Sequence, residues 1–161
     1  MINIKNLTVF LLFISSFTYG QRKNKSGARY TYETKCMGTE MDGSLTLEVW
    51  GKGRNYIDAT EQAKKNAVYD VILNGIKSGD QSCSRDALII SPKAKTRYED
   101  YFAVFFADDG DYLQFVSTKD ERLGNKVRRN KKKSKQMQQR MVVVRVSRLA
   151  LKKKLKEDNI N

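Results

Sequence analysis

The 161-residue sequence contains no histidine. That absence removes the commonest general base, the usual catalytic triads and most zinc sites. Asp, Glu, Lys or Tyr would have to carry any catalysis. Proline is nearly missing too, with Pro92 alone, and there are only ten glycines, which argues against a low-complexity chain. An apolar content of 40% with 10% aromatics argues against disorder. Acidic residues are absent from one long stretch. From Arg122 to Lys156 there are fifteen Lys/Arg and no Asp or Glu. The whole chain is +13, so everything outside that stretch sums to −2 (13 − 15). The basic character is therefore regional.

Long hydrophobic runs are also lacking. The longest, Leu7 to Phe17, has about eleven residues, short of the roughly 20 that a spanning helix needs. Lys5 precedes it and Thr18-Tyr19-Gly20 follow, with small residues at −3 and −1 of a cut before Gln21. This is the pattern of a cleavable secretory signal over residues 1–20; the competing reading is an uncleaved N-terminal anchor. No cysteine stands at the cut, which disfavours a lipid-anchored product. Export would place the remainder in the periplasm or outside the cell. A flexible basic leader is expected over 21–28 and a single domain over 29–161, with a basic loop at 119–136. Outside the leading segment there are two cysteines, Cys36 and Cys83. An even count in an exported chain predicts a disulfide between them. Neither has metal-ligand spacing, and no metal site or cofactor is expected.

The pattern along the domain predicts an α+β fold: a small antiparallel or mixed sheet packed with two to three helices, in the order β-β-α-β-α-β-α. Tyr30 to Met37 and Ser44 to Lys52 alternate as a hairpin, with Leu45, Leu47 and Val49 on one face. Trp50 faces the other way and either covers a second layer or marks a binding face. Gly51-Lys52-Gly53 is expected to end the strand. Asn55 is the expected N-cap of a helix to about Gly75, with Asp58 in a capping-box-like place. Ala59, Ala63, Ala67 and Val71 form its inner stripe, widened by Ile57, Val68, Ile72 and Ile76. Lys77 to Arg85 reads as a loop and Ala87 to Ser91 as a short buried strand. The aromatics of Tyr98 to Ala107 have helical spacing. Tyr112 to Ser117 is either helix or strand. Gln139 to Ser147 is a strand rich in β-branched residues, and Leu149 to about Asp158 a terminal amphipathic helix.

Three motifs bear on chemistry. Gly51-Lys-Gly53 before a helix lacks the third glycine of a dinucleotide fingerprint and sits in a hairpin, so two glycines turning a strand into a helix explain it better. Asp108, Asp109 and Asp111 around Gly110 do not match a calcium loop. Glu99 and Asp100 are adjacent and point apart on a helix, which is wrong for a carboxylate pair. That leaves the basic stretch, densest from Lys126 to Lys135. Lys126, Arg128, Arg129, Lys131, Lys132, Lys133 and Lys135 are the candidate contact residues for an anionic partner, lysines as point charges and arginines as bidentate donors. The bland alternative is a solvated loop. The partner would be an envelope protein or an anionic membrane surface. Nucleic acid is disfavoured, because no aromatics interleave with the lysines.

The run from Leu47 to Ala67 — strand, Gly-Lys-Gly, then alanines 59, 63 and 67 — resembles the N-terminal domain of the flagellar T-ring (FlgT) family and related small envelope lipoproteins. Val142, Val143, Val144 and Val146 match its later Val-rich strand. The resemblance covers Leu45 to Ile76 and Met141 to Leu149 and implies a periplasmic accessory or assembly role. The missing lipobox cysteine, the Tyr98 to Phe106 helix and the basic block depart from that pattern. Together these readings predict a non-enzymatic periplasmic or secreted binding or assembly protein. A carboxylate-dependent hydrolase and a periplasmic nucleic-acid-binding protein are the alternatives.

Overall fold

A computed structural model describes residues 32–118 and 137–160 of the chain. The expected signal segment, the leader and the basic loop 119–136 lie outside the described residues. The elements in chain order are β1 (Thr34–Thr39), β2 (Leu45–Gly53), α1 (Tyr56–Tyr69) continued by a π-helical turn (Asp70–Asn74), and β3 (Ser78–Gly79). Then come α2 (Ala94–Arg97), α3 (Glu99–Phe105), a 3-10 turn (Asp111–Phe115), β4 (Val116–Thr118), β5 (Gln138–Val146) and α4 (Arg148–Glu157). The fold is α+β, as the sequence pattern predicts, and the sheet is mixed.

Alternation builds the hairpin. β1 and β2 run antiparallel, with a bulge between Cys36 and Gly38. β5 pairs antiparallel with all of β2, from Leu45 opposite Val146 to Gly53 opposite Gln138. β4 flanks β5 antiparallel and β3 flanks β1 in parallel, giving the order β3-β1-β2-β5-β4. One face carries Cys36, Leu45, Leu47, Val49, Val142, Val144 and Val146, all buried. These residues belong to one core with Ala63 and Ala67 of α1, Phe102 and Phe105 of α3, and Leu151 and Leu155 of α4. The helices therefore share one core with this face of the sheet.

α1 starts where the sequence says it should. The Asn55 side chain accepts from the Asp58 amide at 2.9 Å. Asp58 does not close a capping box; its carboxylate pairs with Arg54 at 2.9 Å. The two glycines expected to end the strand instead remain inside β2 and face the helix. A Cβ at Gly51 would lie 1.9 Å from the Ala59 carbonyl oxygen, and one at Gly53 2.4 Å from the Ala59 amide nitrogen. Glycine normally weakens a strand. Here it lets the backbone of α1 approach the sheet, with Ala59 and Ala63 fully buried at the contact. The Asn66 side chain donates to the Trp50 carbonyl oxygen at 2.9 Å and ties helix to strand. Ile57 departs from the expected inner stripe: it is 74% exposed, because it lies in the first turn, away from the Ala59/Ala63 contact line.

The Ala87 to Ser91 run is not a strand. Its backbone closes the end of α1: the Leu88 amide donates to the Val71 carbonyl at 3.0 Å and the Ile89 amide to that of Ile72 at 2.9 Å. A helix end leaves such carbonyls without intrahelical partners, so the apolar run finds its bonds there and not in the sheet. The third strand in chain order is Ser78–Gly79, inside the expected polar loop. Cys36 and Cys83 form the expected disulfide, closing 47 residues of sequence separation. It fastens the loop after β3 to β1. The undecided segment at Tyr112 resolves into both alternatives, the 3-10 turn followed by β4. α3 presents its aromatics inward, with Phe105 stacked on Phe115 at 6.1 Å and Phe106 beside Tyr112 at 5.9 Å.

Candidate functional site

The seven candidate contact residues, Lys126, Arg128, Arg129, Lys131, Lys132, Lys133 and Lys135, lie outside the described residues. The structure does describe the C-terminal part of the same acid-free stretch. β5 carries Arg140 and Arg145, and α4 carries Arg148, Lys152, Lys153, Lys154 and Lys156.

The α4 sequence Arg-Leu-Ala-Leu-Lys-Lys-Lys-Leu-Lys-Glu has two leucines four apart, Leu151 and Leu155. Both are buried, and Ile160 is buried just beyond the helix. With 100° per residue, burying 151 and 155 turns 149, 150, 153, 156 and 157 to the opposite side and leaves 152 and 154 on the two flanks. Leu149, Lys152, Lys153 and Lys156 are all exposed. Arg148 and Lys154 flank the buried stripe. Arg148 donates to the Asp86 carbonyl oxygen at 2.8 Å, and burial lowers its guanidinium pKa. Lys154 pairs with Asp158 at 3.0 Å.

Asp158 also accepts from the Tyr101 hydroxyl at 2.6 Å. That hydroxyl, followed by Lys154, holds the Asp158 carboxyl below its ordinary value. Burial first, and the hydrogen bond to Asp158 second, push Tyr101 well above the usual phenol range. These contacts seat the helix C-terminus on α3. The hairpin turn lies near the N-terminal end: Arg145 at the end of β5 pairs with Asp42 at 2.9 Å. A Cβ at Gly43 would come within 2.9 Å of the Leu149 side chain. The backbone amide of Ser44 and then Arg145 keep Asp42 ionised to lower pH than usual.

Acids elsewhere are similarly engaged. Asp108 pairs with Lys65 at 2.9 Å, and Glu61 with Lys64 at 2.7 Å. Among the described residues no group of three or more potential metal ligands converges, Asp108, Asp109 and Asp111 included.

Asp70 was not singled out from sequence. It is buried at the start of the π-helical turn and accepts from Tyr32 Oη at 3.1 Å, Thr34 Oγ1 at 2.5 Å and Asn74 Nδ2 at 2.7 Å. Burial raises its pKa, against the pull of those three donors and Lys77. The cluster joins β1 to the end of α1. Asn74 four residues after Asp70 was the one trace of it in the sequence. The face of the sheet away from the helices carries Trp50, 43% exposed, opposite Met141 in the ladder. Glu33, Lys35, Glu48, Trp50 and Ser78 line an open depression of about 330 Å³ there. Trp50 therefore lies on the uncovered face.

The fold and surface define an α+β protein whose last helix shows a lysine face to solvent. No protein-family model matches the sequence, and no curated protein or solved structure matches it significantly.

Proposed function

We propose that this chain is an exported, non-enzymatic binding or assembly protein of the cell envelope, periplasmic or secreted, that contacts an anionic partner through its basic C-terminal third. The observation that carries this reading is the separation of charge. Fifteen cations and no acid occupy Arg122 to Lys156. In the described part of that stretch the lysines on the outer face of α4 are exposed, while Arg145 and Lys154 of the same stretch engage Asp42 and Asp158, and Lys65 engages Asp108. A dense block of one sign attracts anionic surfaces and raises association rates.

Further features support the reading. The Cys36–Cys83 disulfide suits an oxidising compartment, in keeping with the signal-like residues 1–20. No helix among the described residues is long and apolar enough to cross a membrane. The resemblance to the T-ring N-terminal domain favours an assembly role over an enzymatic one.

Replacement of Arg128, Arg129, Lys131, Lys132 and Lys133 by Gln tests the proposal. The expected result is loss of the partner recovered by crosslinking from the envelope fraction, with an unchanged melting temperature. Undiminished recovery would exclude the basic stretch as the contact.

A further inference from the structure

Met41, in the β1–β2 turn, is fully exposed, at 108% of its reference area. Leu149, the first outward residue of α4, is 63% exposed and lies against Gly43 of the same turn. Large apolar side chains scattered singly over a surface need no explanation. Met41 stands two residues before Gly43, the residue that Leu149 lies against, and Leu149 heads a stripe of three outward lysines: Lys152, Lys153 and Lys156 lie on the helix face that it begins.

The acids at the turn and along the helix are engaged, including Glu40 beside Met41, which accepts from the Thr46 hydroxyl at 2.7 Å. Asp42 is held by Arg145 and the Ser44 amide, Asp158 by Lys154 and Tyr101, and Glu157 lies 3.8 Å from Lys153. Among the described residues neither Lys152 nor Lys156 has an ion pair. Apolar tips beside solvated ammonium groups match the interfacial region of a bilayer. There acyl chains receive the tips, and lysines extend to the phosphates. An acidic protein face would satisfy the lysines but offers no reason for a protruding Met41.

We propose that the turn at Met41 and the outward face of α4 form a peripheral docking face for an anionic phospholipid bilayer, Met41 and Leu149 entering the headgroup boundary and Lys152, Lys153 and Lys156 pairing with lipid phosphates. This rests on the reading that the basic C-terminal third meets an anionic partner, and it makes that partner a lipid surface. Each lysine near an anionic surface strengthens binding severalfold. Burial of the two apolar tips adds about tenfold.

Co-sedimentation of the full chain with vesicles of equal parts phosphatidylcholine and phosphatidylglycerol tests it, against vesicles of phosphatidylcholine alone. Wild type is expected on the anionic vesicles only. Lys152→Gln/Lys153→Gln/Lys156→Gln should weaken binding about a hundredfold and Met41→Ser/Leu149→Ser about tenfold. These side chains are exposed, so melting temperatures should stay unchanged. Leu149→Trp in a Trp50→Phe background should show a blue shift in emission on adding anionic vesicles.

The inference is overturned by wild type that ignores anionic vesicles, by Met41→Ser/Leu149→Ser binding as wild type does, or by an unshifted emission. Vesicle binding lost only on substituting Arg128 to Lys133 also overturns it and leaves the broader reading standing. Vesicle binding that survives those five changes but not the changes on α4 and the turn supports it, even where the envelope partner fails to appear.

Discussion

α1 and α4 join the same core by opposite means. α1 presents alanines, and β2 answers with Gly51 and Gly53, so the contact is backbone against backbone. α4 reaches the core through two leucines and leaves the rest of its surface charged. Close backbone approach leaves no slack, because neither partner has a side chain that can rotate away. Contact through long side chains tolerates change and frees the outer face. The first helix is the rigid half of the architecture, and the last is the half whose exterior composition is open to a binding role.

The largest test of that contrast is Gly51→Val. Backbone atoms of α1 occupy the space a side chain needs, so α1 has to move or detach. Destabilisation of at least about 3 kcal/mol is expected, read by urea unfolding. A loss under about 1 kcal/mol would mean that the α1 contact is as adaptable as that of α4.

On α4, Leu151→Ala should cost about 2–4 kcal/mol, and Leu149→Ala under about 1 kcal/mol. Equal costs would show that α4 is not anchored by one stripe.

The third test concerns how α1 ends. Burial raises the Asp70 pKa above its ordinary value of 3.8. The fold thus favours the protonated acid. The stability this group contributes is complete below the ordinary carboxylate value and is lost as pH rises through the raised one. Asp70→Asn does not titrate there. It should cost about 1–2 kcal/mol at neutral pH through mismatched hydrogen bonds. The gap to wild type should widen on acidification through the window between the two values. The lowered carboxyls Asp42, Asp80, Asp108 and Asp158 favour the fold at higher pH. They are present in both proteins and cancel in the difference. A pH-independent gap would show that burial does not govern Asp70.

Elements with a long, regular pattern were legible. The alternation in β2, the β-branched run of β5, the alanine spacing of α1 and the leucine pair of α4 each placed an element within a residue or two. Ser78–Gly79 was not legible, since two residues carry no period. Ala87 to Ser91 misled because an apolar run looks alike whether its amides meet a strand or a helix end. Of the candidate site, the charge block was plain in the sequence. The pairing of Leu149 with the Met41 turn was not, because those residues are more than a hundred positions apart.

The sequence by itself determined the α+β class, the disulfide partners, the helix cap at Asn55 and the regional charge, all of which follow from composition and short-range spacing. Only the tertiary structure decided that Gly51 and Gly53 serve close packing, that Asp70 joins β1 to α1, and that Leu149 of α4 lies against Gly43 of the β1–β2 turn. Those depend on distances between elements remote in sequence, which local propensity and period do not encode.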